Sequence, residues 1–475
     1  MQRKLSAPAL DFDAIRTELG IAEDYGADAL AEAEHPVDRF ADDRADHTDI
    51  PLVTIDPPTS MDLDQAVRID TDGDGFVVDY AIADVAALVV PEGPLDQESR
   101  RRGATIYFPD RSVPLHPRAL SEGAGSLLPE QIRPAVLWTI RVSADGLPTD
   151  VRVRRARVRS VARLDYVGVS ADADAGTLHP SIAALPDFGI LRERVGLERG
   201  AVELELPEQE VVRDRDGAWT VRQAPRTPAD AWNSQLSLLT GMSAGQIMAD
   251  AGVGVLRTLP PASSQALADL RAVVAGLGIT WPAEQGVGVF LAGLPHDDPT
   301  TLAVMSAAGA LLRGADYLAL GVDGQPMPDD PDRLRHAAIG GVYAHVTAPL
   351  RRLGDRFATE VCLAVISGAA VPDWVTRAVP TLPAVLRSAD SLGATADRRS
   401  VDLAESVILA DRVGERFDAV VVRPATDKRD AQVFLGEPAV IAPCAGNPPQ
   451  GVPVSVVLES VDPVAGKVAF RLADS

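Results

Sequence analysis

Cysteine is scarce: two thiols in 475 residues, Cys362 and Cys444, cannot build a disulfide framework or a cysteine-rich zinc site. Such usage suits a reducing cytosol, so a cytoplasmic location is expected. Long apolar runs are missing too. No stretch approaches the ~18 residues of a membrane span, and no membrane partner is expected. The N-terminus, MQRKLSAPALDFDAIRTELG, meets Asp11, Asp13 and Glu18 before any useful apolar run, which argues against a secretory signal. Aromatics make up only 4% of the chain, yet 46% hydrophobic residues are ample for a large core and exclude whole-chain disorder. Positive charge is in deficit: 45 Lys+Arg against 68 Asp+Glu leaves a net −23. A surface of that average charge repels polyanions, so nonspecific coating of nucleic acid is excluded, while a local basic channel is not.

What is present divides into three textures. Residues 1–49 carry 13 Asp/Glu against 5 Lys/Arg, with an Ala-rich helical stretch around Tyr25 to Glu34, and read as a cap or partly mobile arm. From Leu52 onward, period-two runs (LVTI, AVRI, FVVDYAIADVAALVV) announce strands. Between them, Asp70 to Phe76 resembles a calcium loop but has Ala81 at the twelfth position, where a bidentate Glu belongs, so a hairpin turn is the better reading. Val151 to Arg163 alternates Val or Ala with Arg, as a strand with one buried and one cationic face does. That face is either a salt-bridged surface or part of an RNA path. Helical periodicity covers 228–257, 262–277 and the run from Thr300 to Leu320. Pro-rich and polar stretches place a border near residue 400, followed by a short helix at 401–413. Five short strands in the last sixty or so residues then fit a small closed barrel of the OB type.

Three windows carry chemistry. Thr54 to Val67, TIDPPTSMDLDQAV, gathers Asp56, Asp62 and Asp64 within nine residues, followed by Gln65. Carboxylates crowded this way repel one another unless a divalent cation neutralises them, and hard oxygen ligands without His or Cys favour Mg²⁺ or Mn²⁺ over zinc. The bland alternative is an acidic surface loop. Arg100 to Asp110, RRRGATIYFPD, sets Arg101 and Arg102 before Tyr107, offering cations for phosphates beside an aromatic face for bases. In Tyr343 to Asp355, YAHVTAPLRRLGD, a turn around Thr347 precedes Arg351 and Arg352, where a fixed guanidinium can stabilise charge developing on a phosphate. His345 reads as a structural hydrogen-bond partner. Metal, stacking face and arginine together are the toolkit of phosphodiester hydrolysis.

In that order the windows resemble the RNB catalytic domain of the ribonuclease II and ribonuclease R family, over roughly residues 50 to 370, and the tail is similar to its S1-type OB domain. The resemblance implies an α+β RNB catalytic domain at 50–399, an all-β S1-like OB barrel at 400–475 and an acidic arm at 1–49. It implies a metal-dependent, hydrolytic 3′→5′ exoribonuclease that releases nucleoside 5′-monophosphates from single-stranded RNA. Asp56, Asp62, Asp64 and Gln65 would form the metal shell, with Asp64 and Arg351 catalytic and Arg351 on the scissile phosphate. Tyr107, Arg101, Arg102, Thr347 and Arg352 would contact RNA, Tyr107 by stacking on the 3′ nucleotide. The family's motif has a fourth carboxylate where this chain has Gln65, and an acidic residue where Trp232-Asn233-Ser234-Gln235 aligns; the lost charge should weaken metal affinity. About 50 N-terminal residues are too few for the cold-shock domains most members carry in front. The alternative is an RNB-fold RNA-binding or regulatory protein whose catalysis is weakened or lost.

Overall fold

The computed structural model describes residues 6–473 except 205, 207, 225, 296, 297, 323 and 324. The period-two runs become strands β1 (Leu52–Ile55), β2 (Gln65–Asp72), β3 (Gly75–Ala83), β4 (Ile132–Val142) and β5 (Pro148–Leu164). β2, β3 and β4 pair in antiparallel succession, and β4 pairs with β5 over Pro148–Arg159. The rest of β5, Ser160–Leu164, runs parallel to β1, which pairs back to β2 through Val53 and Val67, so the ladder returns on itself. The Asp70–Phe76 run is a hairpin turn, closed by Asp72 opposite Gly75 with Gly73 at φ 61°.

Alternation along these strands feeds two cores. Val53, Val67, Val78, Tyr80 and Trp138 face one, shared with helices α2 (Pro228–Ala251) and α3 (Leu353–Ser367). Leu52, Ala66, Ala81, Leu137 and Val158 face the other, which also receives Ala29 and Ala33 from helix Ala27–Glu34. Four of the six β5 arginines are ion-paired: Arg152 with Asp150, Arg155 with the buried Asp84 and Glu360, Arg157 with Asp46 and Arg159 with Glu130.

Several expectations need correction. Of the two readings of the acidic segment before residue 50, the described part packs as a cap and not as a mobile arm, with Ala7, Phe12, Ile15, Ala29 and Ala33 buried. Phe12 packs edge-on against Trp219 at 5.3 Å, and Arg16, 3% exposed, binds Asp13 and Asp110. The helix expected over 228–257 stops at Ala251, where Gly252 takes φ 65° and caps it, and Gly254–Thr258 is a strand. Likewise the run from Thr300 to Leu320 is α-helix over Pro299–Ala308 and one 3-10 turn over Gly309–Leu312; Gly314 at φ 93° turns the chain into strand Asp316–Leu320, antiparallel to Gly254–Thr258. The short helix expected at 401–413 is the end of α4 (Leu382–Leu409), which runs through the expected border near residue 400. The polar residues there are its exposed face, while Ala396, Ala404 and Ile408 are buried.

All five expected C-terminal strands form: β6 (Arg416–Arg423), β7 (Ala431–Leu435), β8 (Val440–Ala445), β9 (Pro453–Asp462) and β10 (Lys467–Leu472) close a barrel in the order β6-β7-β8-β10-β9. Glu405 of α4 latches the barrel. Its carboxylate accepts from Gln209 Nε2 at 2.5 Å and from the Ile441 amide at 3.3 Å, and burial pushes its pKa from 4.5 up to about 7. A carboxyl whose folded pKa is raised is most favourable when protonated, so its contribution falls as pH climbs from 4.5 through about 7. Glu405→Gln keeps the acceptor without the charge. We expect it to stabilise the protein above pH 7 by roughly 2–3 kcal/mol and to flatten the fall in melting temperature between pH 5 and 8; parallel melting curves for both proteins would refute this.

Candidate active site

β1 ends at Ile55, and Pro57 and Pro58, which lack amide donors, break the strand into a loop. Three ties shape that loop. Asp56 N–H donates to the Leu164 carbonyl at 3.1 Å, and the Ser126 hydroxyl accepts from Leu63 N–H at 3.0 Å and donates to the Met61 carbonyl at 2.7 Å. Leu63 itself is fully buried, which fixes its neighbours Asp62 and Asp64.

The arginine turn lies against this loop. Gly103, at φ 74° and too close to Ala389 to carry a side chain, ends helix α1 (Pro94–Arg102) and accepts from Leu353 N–H at 3.0 Å. Thr105 N–H donates to the Arg351 carbonyl at 2.9 Å. Asp355 accepts from Ala348 N–H at 2.8 Å, and Asp64, 2% exposed, accepts from Leu350 N–H at 2.8 Å and sits 3.5 Å from Arg351 Nε. The Gln65 amide donates to the Thr347 carbonyl. Loop and turn are therefore one unit: Asp64 and Gln65 hold the backbone that aims Arg351.

The electrostatics follow from burial. Asp64 is pushed well above the usual carboxylate range by burial, opposed by Arg351 and the Leu350 amide. Asp56 is pushed up to about 6, again chiefly by burial, with Arg351 and Arg163 opposing and Asp62 adding repulsion; its Oδ2 is buried without a partner. Burial works against the charge of Arg351, but Asp64, Tyr107 and Asp62 outweigh it and its pKa is raised. Tyr107 is 51% exposed and its hydroxyl donates to Asp62 at 3.4 Å.

Sequence reasoning placed Asp56, Asp62, Asp64, Arg351 and Tyr107 in one site, and the structure brings them together. The other expected residues have partners of their own. Thr347 and Arg352 build the turn: Thr347 is buried, and Arg352 pairs with Asp355 at 2.7 Å. Arg101 and Arg102 both pair with Glu98, and Arg102 also lies 3.8 Å from the Tyr25 ring centre, so these contacts lead away from the aspartates. His345, half-buried between Tyr317 and Tyr343, is held neutral by desolvation and by Arg352, consistent with a packing role.

Other participants went unnoticed. Arg163, hidden in the arginine alternation, reaches the loop at the Pro58 carbonyl and lowers the Asp56 pKa. Tyr166 is pushed up to about 12 by burial and then by Asp56, and Asn233 of α2 lies 3.5 Å from its hydroxyl. Tyr80, whose ring is buried, shares a hydrogen bond with Ser237 at 3.1 Å. The one usable signal was position, since Arg163 and Tyr166 sit where β5 ends.

Among the described residues no three His, Cys, Asp or Glu side chains are arranged to hold a metal ion, so the expected shell of Asp56, Asp62, Asp64 and Gln65 is not a closed cage. Asp64 turns both oxygens to the arginine turn, and Gln65 faces it with its amide nitrogen. Asp56 and Asp62 remain, and the orphaned Asp56 oxygen is the kind of group a cation satisfies. Mg²⁺ commonly uses one or two carboxylates, waters and substrate phosphate, so these residues fit it. Gln65→Glu would replace the donor to Thr347 by a second acceptor. We expect it to lower unfolding free energy by about 1–3 kcal/mol, read from the urea midpoint; an unmoved midpoint would show that the tie carries nothing.

A returning sheet with an aspartate loop facing an arginine turn, followed by a five-stranded barrel, defines an RNB-type catalytic fold with an S1-type tail. The RNB domain matches residues 44–367, and the chain belongs to that family; the RNase II-type exonuclease C-terminal S1 domain matches residues 415–473. Ribonuclease R of Escherichia coli K12 is 29% identical over 328 residues, covering 66% of this chain and 39% of that protein. Exoribonuclease 2 of Vibrio vulnificus YJ016 is 30% identical over 345 residues, covering 68% and 50%. The chain thus spans about two fifths to one half of the length of these curated relatives. Its fold is similar to that of Mycoplasma genitalium RNase R solved with ribose-methylated single-stranded RNA: TM-score 0.85, 19% identity, 97% of this chain and 77% of that one.

Proposed function

We propose that this protein is a hydrolytic 3′→5′ exoribonuclease that shortens single-stranded RNA to nucleoside 5′-monophosphates with Mg²⁺ or Mn²⁺. The observation that carries the reading is the shared mount of Asp64, Leu350 and Arg351 beside the unpartnered Asp56 carboxylate. Membership of the RNB family, the ribonuclease names of its relatives and the RNA bound to a structural neighbour support it.

Asp56 and Asp62 would hold the cation, which when bound activates water and offsets charge on the leaving oxygen. Arg351 binds a non-bridging phosphate oxygen and stabilises the charge that grows there as water attacks the phosphorus and the 3′ oxygen leaves. The exposed Tyr107 ring gives the terminal base a stacking face. Tyr166 and Asn233 offer neutral hydrogen-bonding groups near Asp56, suited to sugar hydroxyls. Two buried free thiols and the lack, among the described residues, of a helix fit to cross a membrane support a cytoplasmic setting.

The second reading, RNA binding without cleavage, draws on Gln65 and Asn233, neutral where the family has acids. Purified protein incubated with 5′-labelled single-stranded RNA and Mg²⁺ or Mn²⁺ separates the two. Progressive loss from the 3′ end, stopped by EDTA and slowed at least about 100-fold by Asp62→Asn, is expected. Full-length RNA bound equally well with and without EDTA would establish the noncatalytic reading instead.

A further inference from the structure

Tyr107, the ring that faces the aspartates, opens the loop 107–112. Ile106 and Val113 close that loop by exchanging backbone hydrogen bonds of 3.0 and 2.8 Å. The ring is 51% exposed and its hydroxyl meets Asp62 at 3.4 Å, a long contact that holds it weakly. Its orientation therefore depends on the loop behind it. There Phe108 turns the other way, 7% exposed, into a core shared with Ala7, Phe12, Ile15 and Trp219. Two residues further on, Asp110 meets a guanidinium from outside the RNB match at 44–367: Arg16 of the helix Phe12–Glu18.

The contact is a fork. Arg16 donates from its two terminal nitrogens to the two Asp110 oxygens, at 2.9 and 2.7 Å, and its guanidinium lies 4.8 Å from the Phe108 ring centre. One side chain thus grips two residues of the Tyr107 loop. Arg16 is itself fixed: it is 3% exposed, donates to Asp13 at 2.6 and 3.0 Å and lies 3.2 Å from Glu23. The same two acids accept from Arg111 of the loop, at 2.5 and 2.6 Å. Two-pronged pairs between charged groups are short and directional, and burial shields them from salt. The plainer role for Arg16 is to dock the acidic segment, but other ties do that. Glu18 pairs with Arg399 at 2.8 Å, Ala7 exchanges backbone hydrogen bonds of 2.8 and 2.7 Å with Trp219, and the Tyr25 hydroxyl donates to the Pro114 carbonyl at 2.5 Å. None of these three reaches residues 107–112.

We propose that Arg16 is a positioning residue for the 3′-terminal base: its fork to Asp110 sets the loop that presents Tyr107, so the segment before the RNB match takes part in gripping the RNA end. The inference rests on Tyr107 being the stacking face. Fluorescence anisotropy of the full chain tests it, with EDTA present so that the RNA stays whole. Two labelled RNAs of about ten nucleotides are compared, differing only in whether the 3′ nucleotide carries its base or is abasic. The ratio of their affinities reads the hold on that base, because a general loss of RNA binding lowers both affinities together.

We expect the parent to prefer the complete end at least about fivefold and Tyr107→Ala to remove that preference. Arg16→Gln should bring the ratio below about twofold, and should lower it no further in the Tyr107→Ala background. Asp110→Ala cuts the same fork from the loop side while Arg16 keeps Asp13 and Glu23, so it should match Arg16→Gln with its fold intact by circular dichroism. Glu18→Gln, which loosens the same helix elsewhere, should keep the parent's ratio. If the parent draws no distinction, or Tyr107→Ala retains it, the stacking role of Tyr107 falls and this inference falls with it. If Tyr107→Ala loses the preference while folded Arg16→Gln or Asp110→Ala keeps it, the Arg16 inference alone is overturned. It is overturned too if Glu18→Gln loses as much as Arg16→Gln, since docking of the segment and not aim of the loop would then be at work.

Discussion

Arg351→Ala is expected to slow RNA shortening roughly 100- to 1,000-fold with little change in fold. The side chain is 47% exposed and, among the described residues, its ion pair is with Asp64 at 3.5 Å, so few packing contacts are lost. What disappears is a donor aimed where charge grows on the phosphate. Arg351→Lys should restore only a small part, because an ammonium on a flexible stem cannot reproduce a planar fork held by Asp64. Single-turnover rates at saturating RNA isolate the step, and melting curves must stay close to the parent's. Variants that cleave within about threefold of the parent would remove Arg351 from the chemistry.

The turn that carries Arg351 also shows what a sequence can and cannot disclose. Asp56, Asp62, Asp64, Arg351 and Tyr107 were readable because each sits in a short window whose residue types have few other uses together. The barrel was readable because turn-rich segments separate five β-type runs. Gln65 has a second role that composition does not show. From composition it is a weakened ligand; in the fold its amide donates to the Thr347 carbonyl, a partner far away in sequence. Arg101 and Arg102 likewise have a local partner that the window did not show, since Glu98 lies one helical turn away and pairs with both. Tyr80 and Tyr166 left no trace because their role depends on how β3 and the end of β5 pack against α2. The end of α2 at Gly252 was legible in principle, since glycine favours that cap, but apolar periodicity continuing into Gly254–Thr258 concealed it.

Asp96→Ala is expected to be the most destabilising single change considered, at about 3–5 kcal/mol. Asp96 and Arg356 are almost wholly buried and ion-paired, which joins α1 to α3, the helix that follows the arginine turn. Burial alone would raise the Asp96 pKa, but Arg356, Arg100 and the Glu92 amide hold it below the ordinary range. His116 beside them is pushed down to about 3 by burial and then by Arg356, so it stays neutral and cannot replace the lost charge or compete for it. Removing the carboxylate leaves the buried Arg356 guanidinium without its ion pair and takes the partner of Arg100 too, whereas Asp96→Asn/Arg356→Met removes both buried charges and should lose much less. Because the folded pKa of Asp96 is depressed, its contribution is present above the unfolded value near ~3.9 and is lost only as pH falls through the lower folded one. The deficit of Asp96→Ala should therefore be constant from pH 5 to 8 and shrink in acid. The effect reaches the site as well: α1 ends at Gly103, whose carbonyl holds Leu353, and Thr105 beyond it holds Arg351. Cleavage by the variant should fall even well below its melting point, through a lower kcat more than a higher KM. An unfolding free energy from urea titration within about 1 kcal/mol of the parent's, with an unchanged kcat, would show that the pair bears on neither stability nor aim.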